Sequence, residues 1–304
     1  MVIGSVDLSG ARTAFAQITA DEFEIAPDVV HVEMGDTDTV GYTDGSGGSR
    51  VTYVTGAAVH NACRSAIDVL RSRAADTLDV TPDVVDYSEG VFTARDIQDR
   101  QVSLSDLAAA SVRGAGVISV TGTASGMEPA PAFTAHVADV EVDEDTGKVQ
   151  VLNYTVFEDV GKAINRTGVE GQIQGGVAQG IGWALHEAYV YNDDGRMTNS
   201  SFLDYRMPTA LDLPRIHTEL IEVPASDGPY GVRGVGEVPI VPPAGTLANA
   251  IYDATGVRMD RLPMNPENIF KVTHAPERAN WISMDELRAG GSTTVAGIDI
   301  PNDE

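Results

Sequence analysis

A single carboxylate, Glu237, lies between glycines and an apolar, proline-rich run in the sequence GVRGVGEVPIVPPA, residues 231–244. Flanking glycines let the backbone approach a ligand closely, and apolar surroundings raise the pKa of a carboxyl group by desolvation. A carboxyl group with a raised pKa is a useful general base near neutral pH. The motif therefore indicates either a catalytic base or an ordinary solvated turn residue, and by itself it leaves both open.

Three glutamines among glycines form a second candidate, in GQIQGGVAQGIGWALHEA, residues 171–188. They are Gln172, Gln174 and Gln179. An amide side chain both donates and accepts hydrogen bonds, which suits the edge of a heterocycle such as a pterin or a nucleobase. Close helix packing through the small residues accounts for the same pattern.

Two loops offer further polar contacts. In TDGSGGSRVTYVTG, residues 43–56, small residues leave backbone N–H groups open toward a phosphate, and Arg50 could add a charge-assisted hydrogen bond. Its spacing does not match the loop that binds nucleoside triphosphates. The second loop, EDVGKAIN, residues 158–165, carries Asp159, Gly161 and Asn165. A flexible loop and a simple turn are the alternative interpretations of these two segments.

Other residue types argue against several kinds of site. The six histidines include no pair four residues apart on one helix face, so we predict no metal site built from protein ligands. The single cysteine, Cys63, excludes an intrachain disulfide and a cysteine-ligated cluster within this sequence. The G-x-S-x-G motif of many serine hydrolases is absent from the sequence.

The charge of the chain is strongly acidic, with 45 Asp and Glu against 20 Lys and Arg and a net charge of -25. Such a surface repels nucleic acid and anionic lipid, and it is typical of proteins kept soluble in concentrated salt. We therefore predict a halophilic source and no nucleic-acid partner. No apolar stretch approaches the roughly 20 residues that a membrane span requires, and no signal peptide is recognisable, which predicts a cytoplasmic protein without a membrane span.

The elements that must position these residues follow from the hydrophobic pattern. Apolar spacings of three and four predict helices over residues 13–23, from Thr55 onward, and over residues 171–188. Prolines at the start and Gly256 beyond the end predict a last helix over residues 243–255. Alternating residues predict a strand over residues 29–34, and a hairpin whose turn is residues 143–148.

Taken together and in this order, these stretches resemble the molybdenum-binding large subunit of the xanthine dehydrogenase and aldehyde oxidase family, which includes aerobic carbon monoxide dehydrogenase. The most specific matches are DVGKAIN followed by VEGQIQGGVAQGIGWAL, GVRGVGEVPIVPPAGTLANAIYDATG, and GDTDTVGYTDGSGGSR. The resemblance extends over about residues 1–271 and is to the carboxyl-terminal half of that subunit. It implies an α+β fold of mixed sheets with packed helices.

The resemblance also implies a domain organisation. Residues 1–273 would form the cofactor-binding domain, with two subdomains of about residues 1–125 and 126–273 as one option. Residues 274–304 would be a polar tail.

The same resemblance assigns roles to individual residues. Glu237 matches the base beside the molybdenum, and Gln179 matches a glutamine that contacts the pyranopterin. The loop that cradles the cofactor corresponds to Gly48, Ser49, Arg50 and Thr52. The loop along the far end of a dinucleotide cofactor corresponds to Asp159, Gly161 and Asn165. The stretch that replaces the family's G-Q-G-x-x-T segment places near the cofactor Ser9, Gly10, Ala11 and Thr13.

Two departures from the family pattern put contacts in doubt. Leu8-Ser9-Gly10 stands where the family has G-Q-G, so one glutamine contact with the cofactor is missing. Arg166 stands where the family usually has proline.

The implied reaction is the oxidative hydroxylation of a carbon centre in a small-molecule substrate, with water as the oxygen source. The implied cofactor is molybdenum-molybdopterin, with the cytosine dinucleotide form as one option, and electrons would pass to iron-sulfur clusters and FAD on partner chains. The family's amino-terminal half, with its G-G-G-F-G-G stretch, is missing from the sequence, so we expect it on a separate chain or lost, and we expect no activity without it. The alternative is a non-catalytic, truncated remnant that acts as a folded interaction module.

Overall fold

The computed structural model of the chain describes residues 1–8, 10–95, 97 and 100–274. Its helices are α1 (Ala11–Phe23), α2 (Gly56–Leu78), α3 (Leu104–Ala110), α4 (Arg166–Leu185), α5 (Pro243–Thr255) and α6 (Pro266–His274). Its strands are β1 (Val2–Ile3), β2 (Glu33–Met34), β3 (Val85–Ser88), β4 (Val91–Ala94), β5 (Gln101–Ser103), β6 (Thr134–Val142), β7 (Val149–Asp159) and β8 (Ile216–Ile221). This mixture of helices and small sheets confirms the predicted α+β class.

The strands form three small sheets. Strands β1 and β2 pair in parallel, with Val2 opposite Glu33. Strands β3, β4 and β5 form an antiparallel sheet in that order, and β6, β7 and β8 form the third, also in chain order. The predicted hairpin between β6 and β7 is confirmed: the N–H of Gly147 donates to the carbonyl of Asp143 at 2.7 Å, and Gly147 takes a φ of 72° that only glycine adopts without strain.

The chain divides into two compact units, each discontinuous in the sequence. The first contains residues 1–135, 155–177 and 217–241, and the second contains residues 136–154, 178–216 and 242–304. The boundary near residue 125 and the domain limit at residue 273 remain predictions. All of the predicted polar tail except His274 lies outside the described residues.

The core of the first unit lies around α2. Residues Val59, Cys63, Ile67, Leu70 and Ala74 recur at intervals of three and four, and all of them are buried. One end of this stripe packs with α1 and the other with the sheet of β3, β4 and β5, where Phe92 is fully buried. Cys63 is thus a core residue, as the helical spacing predicted, and burial raises the pKa of its thiol.

The core of the second unit is apolar, with Leu247, Ile251 and Ile269 buried, and it also encloses polar groups. The Tyr154 hydroxyl lies 3.0 Å from Nδ1 of His136, and Tyr154 is completely buried. Burial lowers the pKa of His136 to about 4, because the imidazolium form loses its hydration there. The N–H of Met264 donates to the carbonyl of Ala184, which ties the segment before α6 to the end of α4.

Several element boundaries differ from the sequence predictions. The strand predicted over residues 29–34 is wrong in its first part, because Pro27 fixes a helical φ and begins a short turn, Pro27–Val29, before β2. Helix α4 begins five residues earlier than predicted, since the side chain of Asn165 caps it by accepting the N–H of Gly168 at 2.8 Å. Helix α5 has the predicted bounds, but it is followed by α6.

Candidate functional site

A cavity of about 350 Å³ in the first unit is bounded by four segments that are far apart in the sequence. These are Leu8 with residues 10–14 at the start of α1, the loop of residues 46–52, residues 164–172 at the start of α4, and residues 232–237. Six of the residues given a role by the family resemblance line it together: Gly10, Ala11, Ser49, Thr52, Asn165 and Glu237. We refer to it as the first cavity.

Glu237 and Ser49 are joined by two hydrogen bonds that share one oxygen atom. The Ser49 hydroxyl donates to Oε2 of Glu237 at 2.8 Å and accepts the backbone N–H of Glu237 at 2.9 Å. Ser49 has a φ of 57°, in the left-handed region, which costs on the order of 1 kcal/mol for a residue with a side chain. The carboxylate is therefore held at the wall of the first cavity by a locally strained partner.

Glycines allow this close approach of the two segments. A Cβ at Gly234 would lie 2.8 Å from the carbonyl oxygen of Ser49, which is too close for a real side chain. A Cβ at Gly236 would lie 3.3 Å from Oε1 of Gln172. The glycines before Glu237 thus permit close packing of this segment on Ser49 and Gln172, whereas the approach to a ligand expected from the sequence stays a prediction.

The expectation that Glu237 lies among apolar side chains is wrong for this chain. Glu237 is exposed, and of the apolar residues that follow it Pro239 is buried whereas Val241 is exposed. Pro239 is buried, and its ring lies so close to Gly176 on α4 that a Cβ there would be 2.9 Å from it. The proline-rich run therefore anchors the segment on α4 instead of surrounding the carboxylate.

The first turns of α4 supply polar groups to the first cavity. Asn165, Gly168 and Gln172 line the wall there. The amino end of a helix carries unpaired N–H groups and a partial positive charge, which favours anions such as phosphates. Amide side chains beside it suit a heterocycle that both donates and accepts hydrogen bonds. This wall therefore fits a ligand that combines a polar ring with a phosphate.

The loop that leads into α4 is anchored from the opposite strand. Glu222 follows β8, and its Oε1 accepts the backbone N–H of Ala163 at 2.9 Å and lies 3.3 Å from Nζ of Lys162. Both hydrogen bonds lower the pKa of Glu222, and the one from the N–H of Ala163 has the larger effect. The loop before Asn165 is thus held in place on its solvent side.

A second cavity of about 430 Å³ lies on the other side of Ser49 and is also lined by Gly234. Gly48 and Arg50 line this second cavity, where residues 124–130 form the facing wall. Arg50 pairs with Asp44 at 2.8 Å, and the pKa of Asp44 is lowered first by the hydrogen bond from Tyr42 and then by Arg50. Among the predicted loop residues, Ser49 is therefore the one that faces both cavities.

Some predicted residues do not line either cavity. Asp159 is buried, and Gly161 approaches the backbone of Gly231, so both act in the packing of segments. Thr13 is exposed on α1, and Gln179 is an exposed residue of α4 that belongs to the second unit. Ser9 lies outside the described residues.

Some lining residues were not assigned from the sequence. Gln172 was one of three candidate glutamines, yet the resemblance selected Gln179, which lies two helical turns further along. Ile164, Gly168 and Val169 had no signal of their own apart from their place beside Asn165. Asn165 caps α4, and the first turns of this helix face the cavity. The position of the cap in the sequence would therefore have favoured Gln172 over Gln179.

The comparisons with known proteins decide the family. A family model described as the molybdopterin cofactor-binding domain matches residues 2–214. The chain belongs to this molybdopterin cofactor-binding family. Subunit gamma of the 6-hydroxypseudooxynicotine dehydrogenase complex of Paenarthrobacter nicotinovorans is 34% identical over 283 residues, which is 88% of this chain and 35% of the relative.

Two further relatives agree with this assignment. A putative xanthine dehydrogenase molybdenum-binding subunit of Escherichia coli is 31% identical over 272 residues, 87% of this chain and 36% of the relative. The structure of reconstituted CO dehydrogenase from Oligotropha carboxidovorans matches with a TM-score of 0.79 at 28% identity, over 89% of this chain and 35% of that chain. The chain therefore spans about a third of the length of these relatives, and its α+β fold is that of the family.

The described residues of this family member show two further properties. Residues 1–8, 10–95, 97 and 100–274 contain no cluster of three His, Cys, Asp or Glu side chains that could hold a metal ion. None of the helices in this part of the chain has the length and apolar content of a membrane span.

Proposed function

We propose that this chain forms part of the molybdenum-molybdopterin site of a hydroxylase and that Glu237 is its general base. The observation that supports this most is the Ser49–Glu237 pair at the wall of a cavity built from four glycine-rich or amide-bearing segments. The family membership supports the cofactor, and the geometry supports the position of the base beside it.

The residues of the first cavity fit such a cofactor. Gly234 and Gly236 let this segment pack closely on Ser49 and Gln172, and Asn165 and Gln172 offer amide groups to the edge of a pterin. The amino end of α4 is suited to the phosphate, and it would suit the pyrophosphate of a cytosine dinucleotide form equally. Mass analysis of the released pterin distinguishes the two forms.

When bound, the cofactor supplies a redox centre that takes two electrons per turnover. Glu237 would accept a proton at Oε2, where the Ser49 hydroxyl donates a hydrogen bond that holds the carboxylate in place. A base contributes most when its pKa lies near the working pH, and the exposure of Glu237 in this chain leaves room for a further wall. We propose that the part of the large subunit not represented here covers it and excludes water.

The relatives suggest the partners and the substrate class. One is named as a subunit of a dehydrogenase complex, and another as the molybdenum-binding subunit of xanthine dehydrogenase. We propose that this chain likewise passes electrons to iron-sulfur and FAD subunits, with water as the oxygen source and a small organic molecule as substrate. A cytoplasmic location in a halophilic cell is part of the same proposal, and the net charge of -25 supports it.

The alternative function is a folded interaction module without cofactor, and the exposure of Glu237 is the observation that favours it. The two are distinguished by molybdenum and pterin analysis of the chain purified together with its native partners. Stoichiometric molybdenum and pterin would support the enzyme component, and their absence would support the module.

The role of Glu237 is tested by Glu237→Gln in the assembled, cofactor-loaded protein. This change removes the base without changing its volume, so we expect retained molybdenum and pterin with kcat lowered about 100-fold or more. The matched control is Glu219→Gln, an exposed carboxylate on β8 that lines neither cavity. Unchanged turnover in Glu237→Gln would refute the role of the base.

A further inference from the structure

Arg233 connects four separate segments of the first unit. Its backbone N–H donates to the carbonyl of Val160 at 3.0 Å, and its Nη1 donates to the carbonyl of Pro131 at 2.7 Å. Its Nε lies 3.2 Å from both the carbonyl of Val223 and Oδ2 of Asp159. The guanidinium is only 12% exposed, so these contacts are largely shielded from water.

Asp159 extends this junction on its other side. Its Oδ1 accepts the backbone N–H of Gly161 at 3.1 Å and that of Val223 at 3.2 Å. The two backbones also touch directly, since a Cβ at Gly161 would lie 2.1 Å from the carbonyl oxygen of Gly231. The end of β7 and the start of the segment that leads to Glu237 are therefore interlocked.

The segment between Arg233 and Glu237 is short and rich in glycine. Gly234, Val235 and Gly236 separate the two residues, and glycine has more backbone freedom to lose than any other residue. The far end of this segment is held by the two hydrogen bonds between Glu237 and Ser49. The near end is held by Arg233, and a flexible stretch needs both anchors to keep one conformation.

We propose that Arg233 is the positioning residue for Glu237. Its pairing with Asp159 fixes the start of the segment that places the Glu237 carboxylate in hydrogen-bond contact with Ser49. The planar guanidinium donates in two directions, through Nε and Nη1, which a lysine ammonium on its flexible stem does not reproduce. The importance of this position for catalysis rests on the proposed function. The geometric role stands without it.

The experiment uses the 304-residue chain without cofactor and reads out Glu237 itself. Hydrogen exchange followed by mass spectrometry reports the N–H of Glu237, and 13C labelling of glutamate carboxyl groups reports its side chain, assigned with Glu237→Gln. The variants are Arg233→Lys and the double change Arg233→Met with Asp159→Asn, which leaves no buried charge unpaired. The control is Arg71→Met, which breaks an Asp68–Arg71 pair on α2.

We expect about tenfold faster exchange at residues 234–237 in both Arg233 variants, with a changed carboxyl resonance for Glu237 and unchanged exchange in α2. The control should leave all of these signals at residues 234–237 as they are. Wild-type exchange and an unchanged Glu237 resonance in both variants would overturn the proposal, and so would exchange that rises equally throughout the chain. Glu237→Gln turnover is measured separately, so that a failure of the proposed function is distinguishable from a failure of the positioning role.

Discussion

Glu158 is a buried carboxyl group whose side-chain oxygens have no hydrogen-bond partner in the described chain. It is 0% exposed, on the face of β7 that also buries Tyr154 and Val156. Burial raises the pKa of Glu158 from 4.5 to about 8, because the ionised form loses its hydration and gains no partner. The side chain is therefore neutral in the folded chain at pH 7.

The effect on stability follows from the difference between the folded and unfolded pKa. Between pH 4.5 and 8 the folded chain binds more protons at this group than the unfolded chain does, so stability falls as the pH rises through this window. The contribution of Glu158 protonation to the free energy of unfolding is fully present below pH 4.5. Its loss amounts to about 3 kcal/mol at pH 7 and about 5 kcal/mol above pH 8. This is a large fraction of the roughly 5–15 kcal/mol by which a domain is stable.

The change Glu158→Gln removes this loss, because glutamine has nearly the same volume and does not ionise. Urea unfolding of wild type and variant at constant ionic strength, at four pH values from about 5 to 8, gives the free energy of unfolding of each. We expect the variant to gain about 2.5 kcal/mol relative to wild type between pH 5 and pH 7. The control Glu219→Gln, at an exposed position, should give a flat difference. A difference for Glu158→Gln that stays constant across this range would refute the reasoning.

The remaining predictions concern the cavity wall, the base, its anchor and the acidic surface. Gly234→Ala should lower the free energy of unfolding by about 1–3 kcal/mol and speed exchange around Ser49, since the new Cβ would lie 2.8 Å from a carbonyl oxygen; a neutral effect in urea unfolding would contradict this geometry. Glu237→Gln should keep molybdenum and pterin but lower kcat, and Arg233→Lys should speed hydrogen exchange at residues 234–237. The thermal midpoint should rise as NaCl increases from about 0.1 to 2 M, because repulsion within a chain of net charge -25 is screened, and a midpoint that falls with salt would refute it.

Much of the fold could be predicted where local signals agree with the tertiary structure. The bounds of α5 follow from Pro243 at its start and Gly256 beyond its end, and the turn of residues 143–148 follows from Gly147. The start of α4 could not be placed from propensity, because glycines at 168 and 171 argue against a helix that Asn165 nonetheless caps. Strand β2 is short because Pro27 favours a turn, which the alternating pattern did not reveal.

The candidate site was predictable in its segments more than in its side chains. The resemblance assigned residues in five segments, and the structure brings members of four of them, Glu237 included, to one cavity. It could not show that Gly48 and Arg50 face a second cavity, because neighbouring residues of one loop point to different sides. It also did not single out Glu158, although the period of two along β7 places residue 158 on the face of the buried residues 154 and 156.

The four walls of the first cavity come from Leu8, residues 10–14, residues 46–52, residues 164–172 and residues 232–237. During synthesis the last of these walls is absent until the ribosome has added residue 237. A ligand that contacts all four walls can consequently enter only after that point of translation.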